Sequence, residues 1–263
     1  MKKVRVIILR TAGTNCDEET EFAFGICGAD GERVHINEIL NGKKHLSDYH
    51  ILTIPGGFTY GDDIAGGKIM ANELKYKLSE EMEEFVREGK PILGICNGFQ
   101  ILVKAGYLPA LNGKREQTVT LTWNDSGKFE DRWIYLKKVE NDRCIFTRGI
   151  EKPITLPVAH AEGKFITKDE KILKDLKKKG QVVLQYVDRE GNPAGYPHNP
   201  NGSVEGIAGI CDPTGRIFGL MPHPERHSLP TQHPRWTREG LKKEGDGLII
   251  FRNAVDFARD CLS

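Results

Sequence analysis

Cysteine does covalent chemistry when it is presented as a thiolate on an exposed turn, and Cys96 stands in such a setting. Gly94-Ile95-Cys96-Asn97-Gly98 separates a short apolar run, residues 91–95, from a segment that reads as a helix beginning at about Gly98. A nucleophile with glycine two residues to either side is the pattern of a sharp strand-to-helix turn, in which small neighbours let a strained backbone pass close to its surroundings. Such a turn lifts the sulfur above the carboxyl ends of a sheet, where open α/β sheets bind ligands. The helix start favours the thiolate. The backbone N–H of Asn97 is then placed to donate to an oxyanion formed on a carbonyl attacked by Cys96. Taken alone, GxCxG equally describes a buried thiol between packing glycines.

Two further clusters bear on that choice. Pro55-Gly56-Gly57 ends the apolar run 50–54 and should open at the same sheet edge; Gly57 is the candidate for a second oxyanion donor, the alternative being a plain turn. Met221-Pro222-His223-Pro224-Glu225-Arg226 offers a base and its orienter. His223 can take a thiol proton near neutral pH and return it to a leaving amine. Glu225, two residues on, points the same way in an extended segment and can hold the imidazole. The flanking prolines stiffen the loop. His223, His227 and His233 also raise a metal site, but Pro224 and Pro230 break any regular helix there and no cysteine pair completes a zinc set. No metal is expected.

The elements that must position these residues are legible in part. Residues 4–9, 50–54 and 91–95 are continuous apolar runs, as strands buried on both faces would be. Asn15 is placed to cap a helix with Asp17, Glu18 and Glu19 in its first turn, an apolar face of Phe22, Ala23 and Ile26, and Gly28 at its end. Leu78, Met82, Phe85 and Val86 fit one face of a helix closed by Gly89. The alternation implies an α/β fold: one open, mostly parallel sheet with helices on both faces. The second half adds an antiparallel portion. There two apolar runs meet at Asp212-Pro213-Thr214-Gly215, a turn. A charged surface helix is expected over 168–179, with Ile172, Leu173 and Leu176 inward, and a C-terminal helix carries Leu248, Phe251, Val255, Ala258 and Leu262. A polar stretch, 228–245, contains Trp236, Arg235 and Arg238.

Composition narrows the class. With 263 residues and no linker, one domain spanning 1–263 is expected. Net charge is +1, so no strong field draws the chain to nucleic acid or anionic lipid. The six cysteines form no CxxC pair, and five read as buried or incidental thiols. The basic-then-apolar start MKKVRVIILR imitates a signal peptide, but its apolar run is too short and acidic TNCDEETE follows at once. No run approaches a membrane span. A cytoplasmic protein is expected.

The order PGG, GxCxG, HPE resembles the class I glutamine amidotransferases of the Cys-His-Glu type. More closely, the chain is similar to the glutaminase subunits of phosphoribosylformylglycinamidine synthase, through GGFTYGDD (56–63), GICNGFQ (94–100), PVAHAEGKF (157–165) and NPNGSVEGIAGICDPTGRIFGLMPHPER (199–226). The resemblance runs from Val4 nearly to the end. It implies a flavodoxin-like fold with Cys96 as nucleophile, His223 as base, Glu225 as its orienter, and Gly57 and Asn97 as the oxyanion hole. Gln100 matches a position that contacts glutamine. His160 and Glu162 are assigned a partner-facing or structural role, a hydrogen-bonded loop being as good a reading. The implied reaction releases ammonia from glutamine and passes it to a synthetase subunit (PurL-like), aided by a small PurS-like subunit. That synthetase converts formylglycinamide ribonucleotide to its amidine with ATP in purine synthesis. This chain has no GxxxxGK[ST] phosphate loop, so ATP and Mg are expected on the partner and no cofactor here. Docking is expected to switch the enzyme on through the glycine-rich loop 58–67, with 228–245 near the same mouth and Trp236 as an anchor. The departure from the family is that stretch, longer and more basic than in compact members. The alternatives are a non-catalytic regulatory subunit on the same fold, or an amidotransferase feeding a different synthetase.

Overall fold

Apolar runs without polar alternation must be covered on both faces, and the chain covers them within one sheet. The structure is a computed structural model that describes residues 3–140 and 143–262, with side chains through 260; Leu262 of the expected C-terminal stripe lies outside the described side chains. Along the chain come β1 (Arg5–Arg10), α1 (Asp17–Ile26), β2 (Asp30–His35), α2 (Ile36–Leu40), β3 (Ile51–Ile54), α3 (Lys68–Tyr76), α4 (Ser79–Arg87), β4 (Ile92–Ile95) and α5 (Asn97–Lys104). Then follow β5 (Val119–Thr122), β6 (Glu130–Lys138), β7 (Ile154–His160), β8 (Lys164–Thr167), α6 (Glu170–Lys178) and β9 (Val182–Val187). The last are β10 (Ile207–Cys211), β11 (Ile217–Leu220), α7 (Trp236–Glu239) and α8 (Leu248–Leu262).

Nine strands form one sheet in the order β2-β1-β3-β4-β11-β10-β9-β6-β7, and β5 and β8 make a separate two-stranded ribbon. β2, β1, β3, β4 and β11 pair in parallel, while β10, β9, β6 and β7 join antiparallel in turn. Only β10 and β6 therefore run against the rest, and the sheet is mostly parallel as expected. The consequence is functional: β3, β4, β7 and β11 all deliver their carboxyl ends to one edge. α1 packs on α8 on one side of the sheet, with Phe24 and Phe251 edge to face at 4.9 Å, and α3 packs on α5 on the other. The turn at Asp212 is built as read: the Asp212 carboxylate accepts the N–H groups of Thr214, Arg216 and Ile217. Among the described residues no helix is long and apolar enough to cross a membrane.

Two local expectations are corrected. Asn15 does not cap α1: the cap position is Cys16, and the Asn15 Oδ1 accepts from the Cys16 thiol at 3.1 Å. Phe22 and Ile26 are exposed; the inward face of α1 is Thr20, Ala23 and Phe24, rotated toward the β1–β2 pair that the helix crosses. The face expected for α4 is found: Leu78, the cap residue, is buried with Met82 and Phe85, and Val86 packs partly buried against the same core.

Candidate active site

The turn at Cys96 is strained as its sequence demands. Cys96 has φ +51° and ψ −105°, a conformation that costs about 1–3 kcal/mol for a non-glycine residue. The surroundings hold it there. The Cys96 N–H donates to Leu220 O of β11 at 2.8 Å. A side chain at Gly98 would place its Cβ 1.9 Å from the Ile54 carbonyl oxygen, and one at Gly94 would meet Gly98 O at 2.7 Å. The glycines thus let α5 sit against the end of β3. Gly98→Ala is expected to lower the unfolding free energy, and with it the denaturation midpoint, by about 1–3 kcal/mol of overpacking. Gly25→Ala, where nothing lies within 4 Å, should instead be neutral or slightly stabilising, since it adds helix propensity of about 0.5–1 kcal/mol. Equal midpoints for the two variants would contradict the packing account.

His223 follows β11 and is tied to the neighbouring half of the sheet: its N–H donates to Pro157 O of β7 at 2.9 Å. Its imidazole Nδ1 lies 2.6 Å from Glu225 Oε1, with side chains only 2% and 0% exposed. Nδ1 donates to the carboxylate, which leaves Nε2 free of any protein hydrogen bond. Burial by itself would push the His223 pKa down; the Glu225 carboxylate and the Cys96 sulfur outweigh it and raise it well above the usual histidine value. The sequence-separated Cys96, His223 and Glu225 are therefore brought into one electrostatic unit.

Gly57 has φ +145°, and a side chain there would collide with Gly13 O and Asn15 N at 2.7 and 2.8 Å. Hydrogen bonds from Phe58 N to Gly13 O and from Asn15 N to Gly56 O flank the Thr14–Gly57 bridge. Thr14 and Gly57 are then the non-bonded pair, so the Gly57 N–H faces away from Thr14, on the side where β4 and Cys96 stand. Asn97 occupies the first turn of α5. Its side chain latches the glycine-rich loop: Oδ1 accepts from Thr59 N and Oγ1, and Nδ2 donates to Asp62 Oδ1 and Gln100 Oε1. The loop is thus pinned, with Tyr60 and Asp62 both held at φ +53°.

A cavity of about 530 Å³ opens over the sulfur, lined among others by Gly57, Cys96, Gln100, His160 and Glu162. Gln100 lines it, but its amide is already engaged: Oε1 accepts from Asn97 and Nε2 donates to Glu162 O at 2.7 Å. His160 is buried against Asn124 Oδ1 at 3.2 Å, and burial drives its pKa down to about 3, so it stays neutral. Glu162 accepts the Gly66 N–H at 3.1 Å. Both belong to a hydrogen-bonded wall of the cavity.

Sequence reasoning missed two contributors. A Cβ at Gly56 would fall 2.7 Å from His223 Cε1, so the middle glycine-side position of PGG makes room for the imidazole. Cys16 lies 3.9 Å from His223 Nδ1 and accepts from Arg226 Nη2 at 3.1 Å; burial raises its pKa. Its contact with His223 spans 207 positions, and no local pattern signals it. Cys16, His223 and Glu225 are the one cluster with metal-ligand spacing among the described residues, and it overlaps the His223–Glu225 pair. His227 and His233 do not join His223: His227 Nδ1 bonds Thr155 O, and the two rings stack beside Trp133. Through His233 the 228–245 stretch packs there too, and it contributes no residue to the cavity lining. The mouth is lined by exposed Phe58, Ile64 and Trp123, with Phe129 6.4 Å from Phe58.

Comparison with known proteins agrees with this geometry. The family model for the CobB/CobQ-like glutamine amidotransferase domain matches residues 3–258. Phosphoribosylformylglycinamidine synthase subunit PurQ of Dehalococcoides mccartyi is 51% identical over 98% of this chain and 99% of its own. The PurQ subunit of Methanococcus maripaludis is 45% identical over 96% and 97%. A chain in the structure of PurLQS from Thermotoga maritima superposes with a TM-score of 0.74 at 32% identity, covering 97% of this chain and 99% of its own. The chain belongs to the glutamine amidotransferase family that contains the PurQ subunits of phosphoribosylformylglycinamidine synthase.

Proposed function

We propose that this chain hydrolyses glutamine to glutamate and ammonia and supplies the ammonia to a PurL-like synthetase subunit assembled with a small PurS-like subunit. The synthetase then converts formylglycinamide ribonucleotide to formylglycinamidine ribonucleotide with ATP, in purine biosynthesis in the cytoplasm. One observation carries the reading: Cys96, on its strained turn at the floor of the cavity, is coupled electrostatically to the buried His223–Glu225 pair.

The reaction follows from that placement. Cys96 attacks the side-chain amide carbon of glutamine while His223 holds the thiol proton. The carbonyl oxygen becomes an oxyanion facing the N–H groups of Gly57 and Asn97. His223 gives its proton to the departing ammonia, leaving a glutamyl thioester on Cys96. Water, deprotonated by the now neutral His223, attacks the thioester and releases glutamate. ATP and Mg act on the synthetase, and no cofactor is assigned to this chain. The test is reconstitution: with the synthetase and small subunits, the chain should make amidine production glutamine-dependent. A complex that uses ammonia but never glutamine would refute the proposal. Reaction of Cys96 with a glutamine-mimicking diazoketone would exclude the regulatory-subunit alternative, and the acceptor consumed would exclude a different synthetase.

Docking should set the rate. Gly57 leads directly into the pinned loop and its exposed Phe58, so a partner resting on the Phe58–Trp123 rim bears on an oxyanion donor. Loss of one such donor costs roughly a hundredfold or more. Glutaminase turnover of the chain alone is therefore expected to be at least about tenfold below that of the complex. Trp123→Ala should raise the partner concentration for half-maximal stimulation by about tenfold, as truncation of a hot-spot aromatic does. Trp236→Ala should leave it unchanged. Equal turnover with and without partner would remove the switch; the reverse ranking of the two tryptophans would move the docking surface.

A further inference from the structure

We propose that Lys104 is a substrate-binding residue whose ammonium takes the α-carboxylate of glutamine in the Cys96 cavity. This deepens the glutaminase reading and rests on it.

Lys104 is the last residue of α5, on the helix that Cys96 opens. Its Cα lies about 12 Å farther along the axis, at 1.5 Å per residue. Its side chain leans back toward the helix N-terminus. Lys104 accordingly lines the same cavity as Cys96 and Gln100. Glutamine spans about 5 Å from its amide carbon to its α-carboxylate; with a reacting contact of about 3 Å at the sulfur and a hydrogen bond of about 3 Å at the ammonium, it suits two groups set toward opposite ends of one cavity.

The ammonium is buried yet donates to no protein atom. Its charged neighbours are the carboxylates of Glu162 and Asp62 and, more weakly, the ammonium of Lys68. Each of these carboxylates already has bonds of its own: Glu162 accepts from Gly66, and Asp62 accepts from Gly67 and Asn97. Burial, helped by Lys68, holds the Lys104 pKa below the usual lysine value, and the two carboxylates oppose it only in part. A buried cation with three donors and no acceptor is costly until something supplies one. A free amino acid brings an α-carboxylate for Lys104 and an α-ammonium for the carboxylates opposite, so the cavity's charges alternate as a zwitterion requires. The recognised class is an L-amino acid with both α-groups free, presenting its side-chain amide to Cys96.

The experiment compares L-glutamine with L-glutamine α-amide, which keeps the side-chain amide but has a neutral carboxamide for the α-carboxylate. Both are assayed with the assembled complex, wild type and Lys104→Met, the methionine preserving the aliphatic stem. Lys104→Met is expected to lose about 10–100-fold in kcat/KM for glutamine, chiefly through KM, the loss of one charged hydrogen bond. On the α-amide it should stay within about threefold of wild type, because that contact was never made. Lys104→Arg should restore part of the glutamine activity. Equal losses on both substrates, or an unchanged KM for glutamine, would overturn the assignment. A wild-type complex that hydrolyses no glutamine would fail the glutaminase reading itself and take this one with it.

Discussion

Cys96→Ala is expected to eliminate glutamine-dependent amidine synthesis by the assembled complex, by about four orders of magnitude or more, while synthesis from added ammonia continues at a wild-type rate. The size follows from removing a covalent nucleophile whose partners act as a unit with it. The ammonia arm follows from where the chemistry is divided: free ammonia bypasses only this chain's step. Packing should not confuse the result, since Cys96 is a small side chain at the cavity floor and its backbone is held by Leu220 O, Gly94 and Gly98. Cys27→Ala is the control. Cys27 is partly buried, with its sulfur near Leu248 O, and burial raises its pKa to about 11, so it is an unreactive thiol at neutral pH. Glutamine-dependent turnover surviving in Cys96→Ala would end the account; a subunit that no longer assembles would also spare the ammonia arm, and a binding assay separates that case from lost chemistry.

The second large effect concerns the pair behind the sulfur. His223→Ala removes the proton carrier and is expected to cost about 10⁴–10⁶ in glutaminase kcat. Glu225→Gln keeps a hydrogen-bond acceptor beside Nδ1 but removes the charge, and should cost less, about 10²–10⁴. The pH profile carries the sharper content. Burial lowers the His223 pKa, and Glu225 is the foremost group raising it. With the carboxylate gone, the raising cause is lost while the burial remains, so the folded-state pKa falls. The imidazolium is the acid for departing ammonia, so the basic limb of kcat/KM reports loss of that proton. In Glu225→Gln that limb should move to lower pH by more than about one unit. An unmoved limb, or a larger loss for Glu225→Gln than for His223→Ala, would give Glu225 a different role.

Much of this site could be read before any coordinates because its parts are local. Gly94 and Gly98 flank Cys96 within one turn, and His223 and Glu225 are two residues apart, so each motif carries its own geometry. The strand runs 50–54 and 91–95 were legible because strands buried on both faces are continuously apolar. β2 was not: its sequence DGERVH is largely polar, because an edge strand is half covered, and only Val34 is buried. α3 was hidden behind the glycine run that precedes it. The placement of β6 between β9 and β7 is a long-range pairing, and local propensity does not encode strand order. Contacts across the fold were lost for the same reason. Cys16 reaches His223 from a loop at the far end of the chain, and Gly56 meets the imidazole only once β3 and β11 end on one edge. The 228–245 stretch shows the converse case: nearness in sequence to His223 did not bring it into the cavity lining, and its His233 packs against Trp133.

The most direct measurement is to catch the intermediate. The complex would be mixed with labelled glutamine, quenched in acid during turnover and digested, and the label located by mass spectrometry. A hydroxylamine-labile glutamyl group is expected on the peptide containing Cys96, and it should be absent in Cys96→Ala. Label on Cys16 or any other residue, or undiminished turnover with Cys96 unmodified throughout, would contradict the assignment of Cys96 as the nucleophile.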